Sequence, residues 1–128
     1  MGAVLDTNII LELGRKGGGR DIFEKISSID NTFYITSITK FEVLIGFPRK
    51  DELMWLELLP ELPFDGKCAE VASYIHRKLR ERGTPLSLRD LFIASIAIAN
   101  NLALITMDED FTVLRDMGFE IHLIKGEF

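Results

Sequence analysis

The chain is poor in several residue types that carry familiar chemistries. It has one cysteine, Cys68, which excludes an internal disulfide and fits a reducing compartment. With only two histidines, His76 and His122, it offers no Cys/His cluster of the kind that holds zinc. The run Gly17-Gly18-Gly19 lacks the Gly-Lys-Ser/Thr that would follow in a phosphate loop, so it reads as a turn. No apolar run approaches the roughly 20 residues of a membrane span. Met1 leads into an apolar strand signal rather than a basic leader, which predicts a soluble, cytoplasmic protein. Excess basic charge is also missing: the formal net charge is -5. That balance argues against a phosphate-binding surface of the ordinary basic kind.

What is present is a conventional globular composition. The 128 residues are 47% apolar, with nine Phe and one Trp, enough for one domain over 1–128 with a sizeable core. Short apolar runs alternate with helical periodicity. Strands are predicted over 3–5, 33–36, 102–106 and 121–124, with a short edge strand over 62–64. Helices are predicted over 9–13, 21–29, 37–46, 51–59, 67–82, 88–100 and 110–117. Gly83 and Gly118 supply stop signals, and 88–100 is apolar nearly all round, which makes it central. The alternation predicts an α/β fold, an α/β/α sandwich on a parallel sheet of Rossmann-like topology.

In such sheets ligands bind beyond the carboxyl ends of the strands. Asp6 directly follows the first strand and Asp108 follows the 102–106 strand by two residues. Glu42 lies in the first turns of the helix after the second strand, and Asp90 near the start of the central helix. Each acid has an ordinary structural explanation. Thr39-Lys40-Phe41-Glu42 has the form of a capping box, Ser87-Leu88-Arg89-Asp90 is related to it, and Asp6 and Asp108 suit helix N-caps. Capping does not require that four acids converge on one edge, where they would repel unless a cation neutralised them. Carboxylate oxygens suit Mg²⁺ or Mn²⁺. Of the 20 Asp and Glu, setting these four aside leaves 16 against 15 Lys and Arg, so the acidic balance is largely that of these four acids themselves.

Val4-Leu5-Asp6-Thr7-Asn8, Thr39-x-x-Glu42, Asp90-Leu91-Phe92-Ile93-Ala94 and Leu104-Ile105-Thr106-Met107-Asp108-Glu109-Asp110-Phe111 resemble, in order, the four motifs of PIN-domain ribonucleases. They are most similar to the VapC-type toxins of toxin–antitoxin pairs. The resemblance runs from residue 3 to 124. It implies an endoribonuclease dependent on Mg²⁺ or Mn²⁺, often a homodimer, whose cognate antitoxin protein blocks the site. Asp6, Glu42, Asp90 and Asp108 carry over as metal-holding catalytic acids, and Thr7, Asn8, Thr39 and Thr106 as polar positions that orient them. Two readings stand for Asp110, a further metal ligand or the start of the following helix, and the number of metals is left open.

Other residues support bland and functional readings side by side. Arg89 contacts a substrate phosphate or pairs with an acid. Arg77 and Arg80 lie in a basic run that steers RNA or forms a solvated helix face, with His76 an ordinary member of it. His122 is structural, Cys68 fills the core, and Met54 with Trp55 form either a partner patch or core. Competing functions are a PIN-like scaffold that binds RNA or protein without catalysis, and a housekeeping RNA-processing nuclease. A haloacid-dehalogenase phosphatase needs a second acid where Asn8 stands.

Overall fold

The computed structural model describes residues 1–15, 19–46 and 56–125. Five strands, β1 (Ala3–Leu5), β2 (Phe33–Thr36), β3 (Glu61–Leu62), β4 (Ala103–Thr106) and β5 (Ile121–Leu123), form one sheet in the order β3-β2-β1-β4-β5. All four strand pairings are parallel. Among the described residues six α-helices connect them: α1 (Thr7–Gly14), α2 (Gly19–Ser27), α3 (Ser37–Gly46), α4 (Gly66–Arg82), α5 (Leu88–Ala99) and α6 (Thr112–Asp116). A single 3₁₀ turn, Glu109–Phe111, precedes α6.

The two-residue period of the strands divides the core into two layers. Ala3, Leu5, Ile35, Ala103 and Ile105 pack with Ile9 and Ile10 of α1, Ile22 and Ile26 of α2 and Val43 of α3. Val4, Leu104 and Ile121 point the other way, against Ile75 and Leu79 of α4, Leu91 and Ile93 of α5 and Leu114 of α6. Each buried Ile or Leu contributes about 1.5–3 kcal/mol of apolar transfer free energy, so both helical layers are held firmly to the sheet. Eight residues of α5 are buried, in keeping with its all-round apolar sequence. Cys68 is buried beside Ile96 and Ala99, as a core filler. At the end of α4, Gly83 takes a left-handed φ of 70° and turns the chain toward α5.

Several predicted boundaries move, for local reasons. The first helix starts at Thr7 rather than residue 9, because Asp6 caps it and draws Thr7 and Asn8 into its first turn. The second runs two residues earlier than 21–29: Ser28 Oγ donates to the Lys25 carbonyl and closes the helix there. The edge strand is Glu61–Leu62 rather than 62–64, since Pro63 has no N–H to extend the ladder. The helix predicted over 110–117 begins only at Thr112, behind the 3₁₀ turn. The other ends agree to about one residue. Most of the helix predicted over 51–59, Met54, Trp55 and the first two glycines of the 17–19 turn lie outside the described residues.

With β1 and β4 adjacent and the chain winding outward from them in both directions, the switch point of the sheet lies between their carboxyl ends. Asp6 follows one of those ends and Met107-Asp108 the other.

Candidate metal centre

Asp6 is wholly buried at the end of β1. Its backbone N–H donates to the Ile105 carbonyl at 2.9 Å, which fixes it against β4. Its Oδ1 accepts the Thr7 N–H at 2.8 Å, capping α1, and its Oδ2 accepts the Thr106 hydroxyl at 2.7 Å. Burial pushes its pKa above the usual carboxylate value, against the lowering effect of Thr106, Arg89 and Thr7, with the nearby Asp90 adding to the rise. The carboxylate thus caps a helix and also belongs to a charged cluster.

Glu42 projects from α3 toward the same place. Thr7 Oγ1 donates to its Oε1 at 2.6 Å and lies 2.9 Å from Thr39 Oγ1, so a pair of threonines fixes one oxygen. The capping-box reading of Thr39 and Glu42 is overturned. Thr36, at the end of β2, caps α3 instead: its Oγ1 accepts the Thr39 N–H at 3.1 Å, which leaves Glu42 for the cluster. Thr36 escaped notice in the sequence, although a threonine immediately before a helical run is a common cap.

Arg89, on the first turn of α5, joins the acids. Its Nε donates to Glu42 Oε2 at 2.6 Å and its Nη2 to Glu42 Oε1 at 2.9 Å, a two-pronged pair. Nη2 also reaches Asp6 Oδ1 at 3.4 Å, and Nη1 donates to Asp90 Oδ1. Burial alone would raise the Glu42 pKa, but the bonds from Arg89 and Thr7 outweigh it and hold Glu42 below the usual range. Burial likewise works against the guanidinium charge, and the three acids more than compensate, raising the Arg89 pKa. Of the two readings of Arg89, the structure shows the acid pair.

Asp90 is buried in the first turn of α5, where its N–H donates to the Ser87 hydroxyl at 3.2 Å. It also belongs to a second group. One oxygen each from Asp90, Asp108 and Asp110 lie within 4.8 Å of one another. Asp108 is half-buried and Asp110 exposed. Asp108 caps the 3₁₀ turn by accepting the Asp110 N–H at 2.9 Å, while its own N–H donates to Thr106 Oγ1 at 3.0 Å. Thr106 therefore bridges Asp6 and Asp108. Asn8 supports this corner through a backbone bond, accepting the Met107 N–H at 3.1 Å.

The donor set fits a hard divalent cation: it consists of carboxylate oxygens, gathered where a neighbouring charge is needed to offset their repulsion. Cys68 and His122 lie elsewhere, the latter 2.9 Å from Glu120. Arg77 and Arg80 are exposed on α4 and make no ion pair among the described residues, which suits a solvated helix face.

Comparison with known proteins agrees with this arrangement. A family model described as the PIN domain matches residues 3–117. The chain belongs to the PIN-domain family. Ribonuclease VapC3 of Methanocaldococcus jannaschii is 41% identical over 96 residues, covering 75% of this chain and 98% of that protein. Among solved structures, VapBC2 from Rickettsia felis, bound to a DNA fragment from its promoter, superposes with a TM-score of 0.81 at 24% identity. It covers 98% of this chain and 100% of that one, and supports the PIN fold. A toxin–antitoxin complex from Klebsiella pneumoniae gives a TM-score of 0.70 at 25% identity, covering 85% and 89%. All the motif acids quoted from the sequence lie inside the matched PIN segment.

Proposed function

We propose that this PIN-domain chain is a divalent-metal-dependent endoribonuclease, the toxin of a toxin–antitoxin pair. The observation that carries the reading is the convergence of Asp6, Glu42, Asp90, Asp108 and Asp110 at the switch point of a PIN sheet. Similarity to a protein named as a ribonuclease supports RNA as the substrate. Mg²⁺ or Mn²⁺ would be held by Asp6, Glu42, Asp90 and Asp108, with Asp110 at the rim, and would supply Lewis acidity for phosphodiester hydrolysis by water. The chain's own contribution is to fix the oxygens. Thr106 orients Asp6, Thr7 backed by Thr39 orients Glu42, and the Ser87 cap sets the turn that carries Asp90.

The proposed partners follow from the same likeness. An antitoxin protein is supported by the toxin–antitoxin neighbour and by apolar side chains with little cover. Phe41, Leu44 and Ile45 on α3 are 63%, 51% and 70% exposed. A homodimer would use a different surface, a hollow lined by exposed Leu88 with Phe64, Leu91 and Phe92. No helix among the described residues is long and apolar enough to cross a membrane.

Cleavage of structured RNA in Mg²⁺ or Mn²⁺ by the wild type and by Asp6→Asn tests the catalytic claim. The variant keeps an oxygen for the Thr7 N–H, so it folds, and its cleavage should fall about a thousandfold; cutting at the wild-type rate contradicts the assignment. One observation favours a non-catalytic scaffold instead, namely that Arg89 already pairs with three of the acids. Mn²⁺ titration separates the two, because a scaffold of that kind has no need to bind the ion. Growth arrest on expression, lost in Asp6→Asn, separates a toxin from a housekeeping nuclease.

A further inference from the structure

Arg89 stands where a cation belongs. Its three nitrogens engage oxygens of Glu42, Asp6 and Asp90, and no other basic side chain among the described residues pairs with those acids. A planar guanidinium supplies charge and fork geometry, but it cannot share the same oxygens with a divalent ion, because like charges a few ångströms apart repel strongly at a part-buried site. Asp108 and Asp110 make no ion pair among the described residues, so the outer oxygens are accessible while the inner ones are engaged. The Arg89 side chain is itself 36% exposed, which gives the guanidinium a route into solvent without unfolding α5.

We propose that Arg89 is the internal counter-ion of the metal-free protein, displaced from Asp6, Glu42 and Asp90 when a divalent cation binds. The inference rests on the metal-site reading and adds a competition to it. Arg89 stabilises the empty cluster and weakens metal affinity by the same contacts. Its removal leaves three carboxylates without their cation, which should destabilise the metal-free fold and sharpen the demand for metal.

Calorimetric Mn²⁺ titration of the wild type, Arg89→Gln, Arg89→Lys and Arg20→Gln tests this, with melting curves recorded in EDTA and in Mn²⁺. Arg20 is exposed on α2 beside Phe33, at the opposite end of the sheet from the acids, so its loss controls for net charge alone. Arg89→Gln should bind Mn²⁺ on the order of tenfold more tightly than the wild type. It should also melt lower in EDTA and gain more from Mn²⁺. Arg20→Gln should match the wild type. Arg89→Lys keeps the charge but loses the fork, so it should fall between, and it carries the test if the glutamine variant does not fold. Equal or weaker Mn²⁺ binding by the Arg89 variants, with the wild type still binding, overturns the competition and leaves the proposed function standing. Absence of Mn²⁺ binding to all four proteins overturns both.

Discussion

The acid cluster has two unlike halves that share Asp90. The inner half, Asp6 and Glu42, is buried or half-buried, hydrogen-bonded by threonines and paired with Arg89. The outer half, Asp108 and Asp110, lies toward solvent, on a short 3₁₀ turn, without an ion pair among the described residues. The inner acids are positioned to the ångström before any ligand arrives, whereas the outer pair rests on one cap and one backbone bond. Burial explains the asymmetry. A carboxylate deep in the sheet edge needs partners to exist in charged form, while one at the rim is stabilised by water.

If position and burial determine function, substitutions in the two halves should differ widely. Asp6→Asn should reduce RNA cleavage about a thousandfold, equivalent to about 4 kcal/mol of lost transition-state stabilisation. Asp110→Asn, at the exposed rim, should cost about tenfold or less. Single-turnover cleavage assays at saturating Mn²⁺ measure both, and equal losses would erase the distinction.

A smaller effect is expected from the bridge between the halves. Thr106→Val keeps the shape of a buried side chain but removes the hydroxyl that serves both Asp6 and the Asp108 N–H. Leaving those groups short of a partner should cost about 1–3 kcal/mol in urea unfolding. A change within about 0.5 kcal/mol, the range of surface substitutions, would show that the bridge is dispensable.

The smallest expected effect is in the pH dependence of the metal-free protein. Glu42 has a lowered folded-state pKa, so its contribution to stability is present above the usual value of 4.5 and is lost as pH falls through that region. Asp6 has a raised folded-state pKa and acts with the opposite sign: its protonation favours the fold as pH falls toward its usual value of 3.8. Comparing wild type with Glu42→Gln by unfolding at pH 6, 5 and 4 isolates the first term. The advantage of the wild type should shrink toward pH 4, by under about 1 kcal/mol because the pair is part-exposed. A constant gap would show that Glu42 does not depend on its charge.

Much of this arrangement was legible in the sequence. The apolar runs ending in Asp6 and Thr106 marked two strand ends, and parallel-sheet topology brings such ends together. The cap readings of Asp6 and Asp108 were correct as geometry and do not compete with a place in the cluster: the Asp6 oxygen that caps α1 also accepts from Arg89, and Asp108 caps with one oxygen of its carboxylate. Thr39-x-x-Glu42 misled because Thr36, Ser37 and Thr39 are all plausible caps, and only the strand's exact end selects Thr36. The place of Arg89 was the least legible feature. Its partners Glu42 and Asp6 are 47 and 83 residues away in the chain, and no local pattern encodes where a long side chain will reach. β3 is the opposite case: its end at Leu62 is set locally, by the proline after it rather than by its apolar content.

Asp90 belongs to both halves, so it tests the central claim most directly. Mn²⁺ titration and RNA cleavage should be measured together on wild type and Asp90→Asn. The variant retains the Ser87 cap to its own backbone N–H and should remain folded. The account requires the wild type to bind Mn²⁺ and cut RNA, and the variant to lose both. An Asp90→Asn protein that binds Mn²⁺ and cuts RNA as the wild type does would contradict the claim that these acids form one metal-dependent centre.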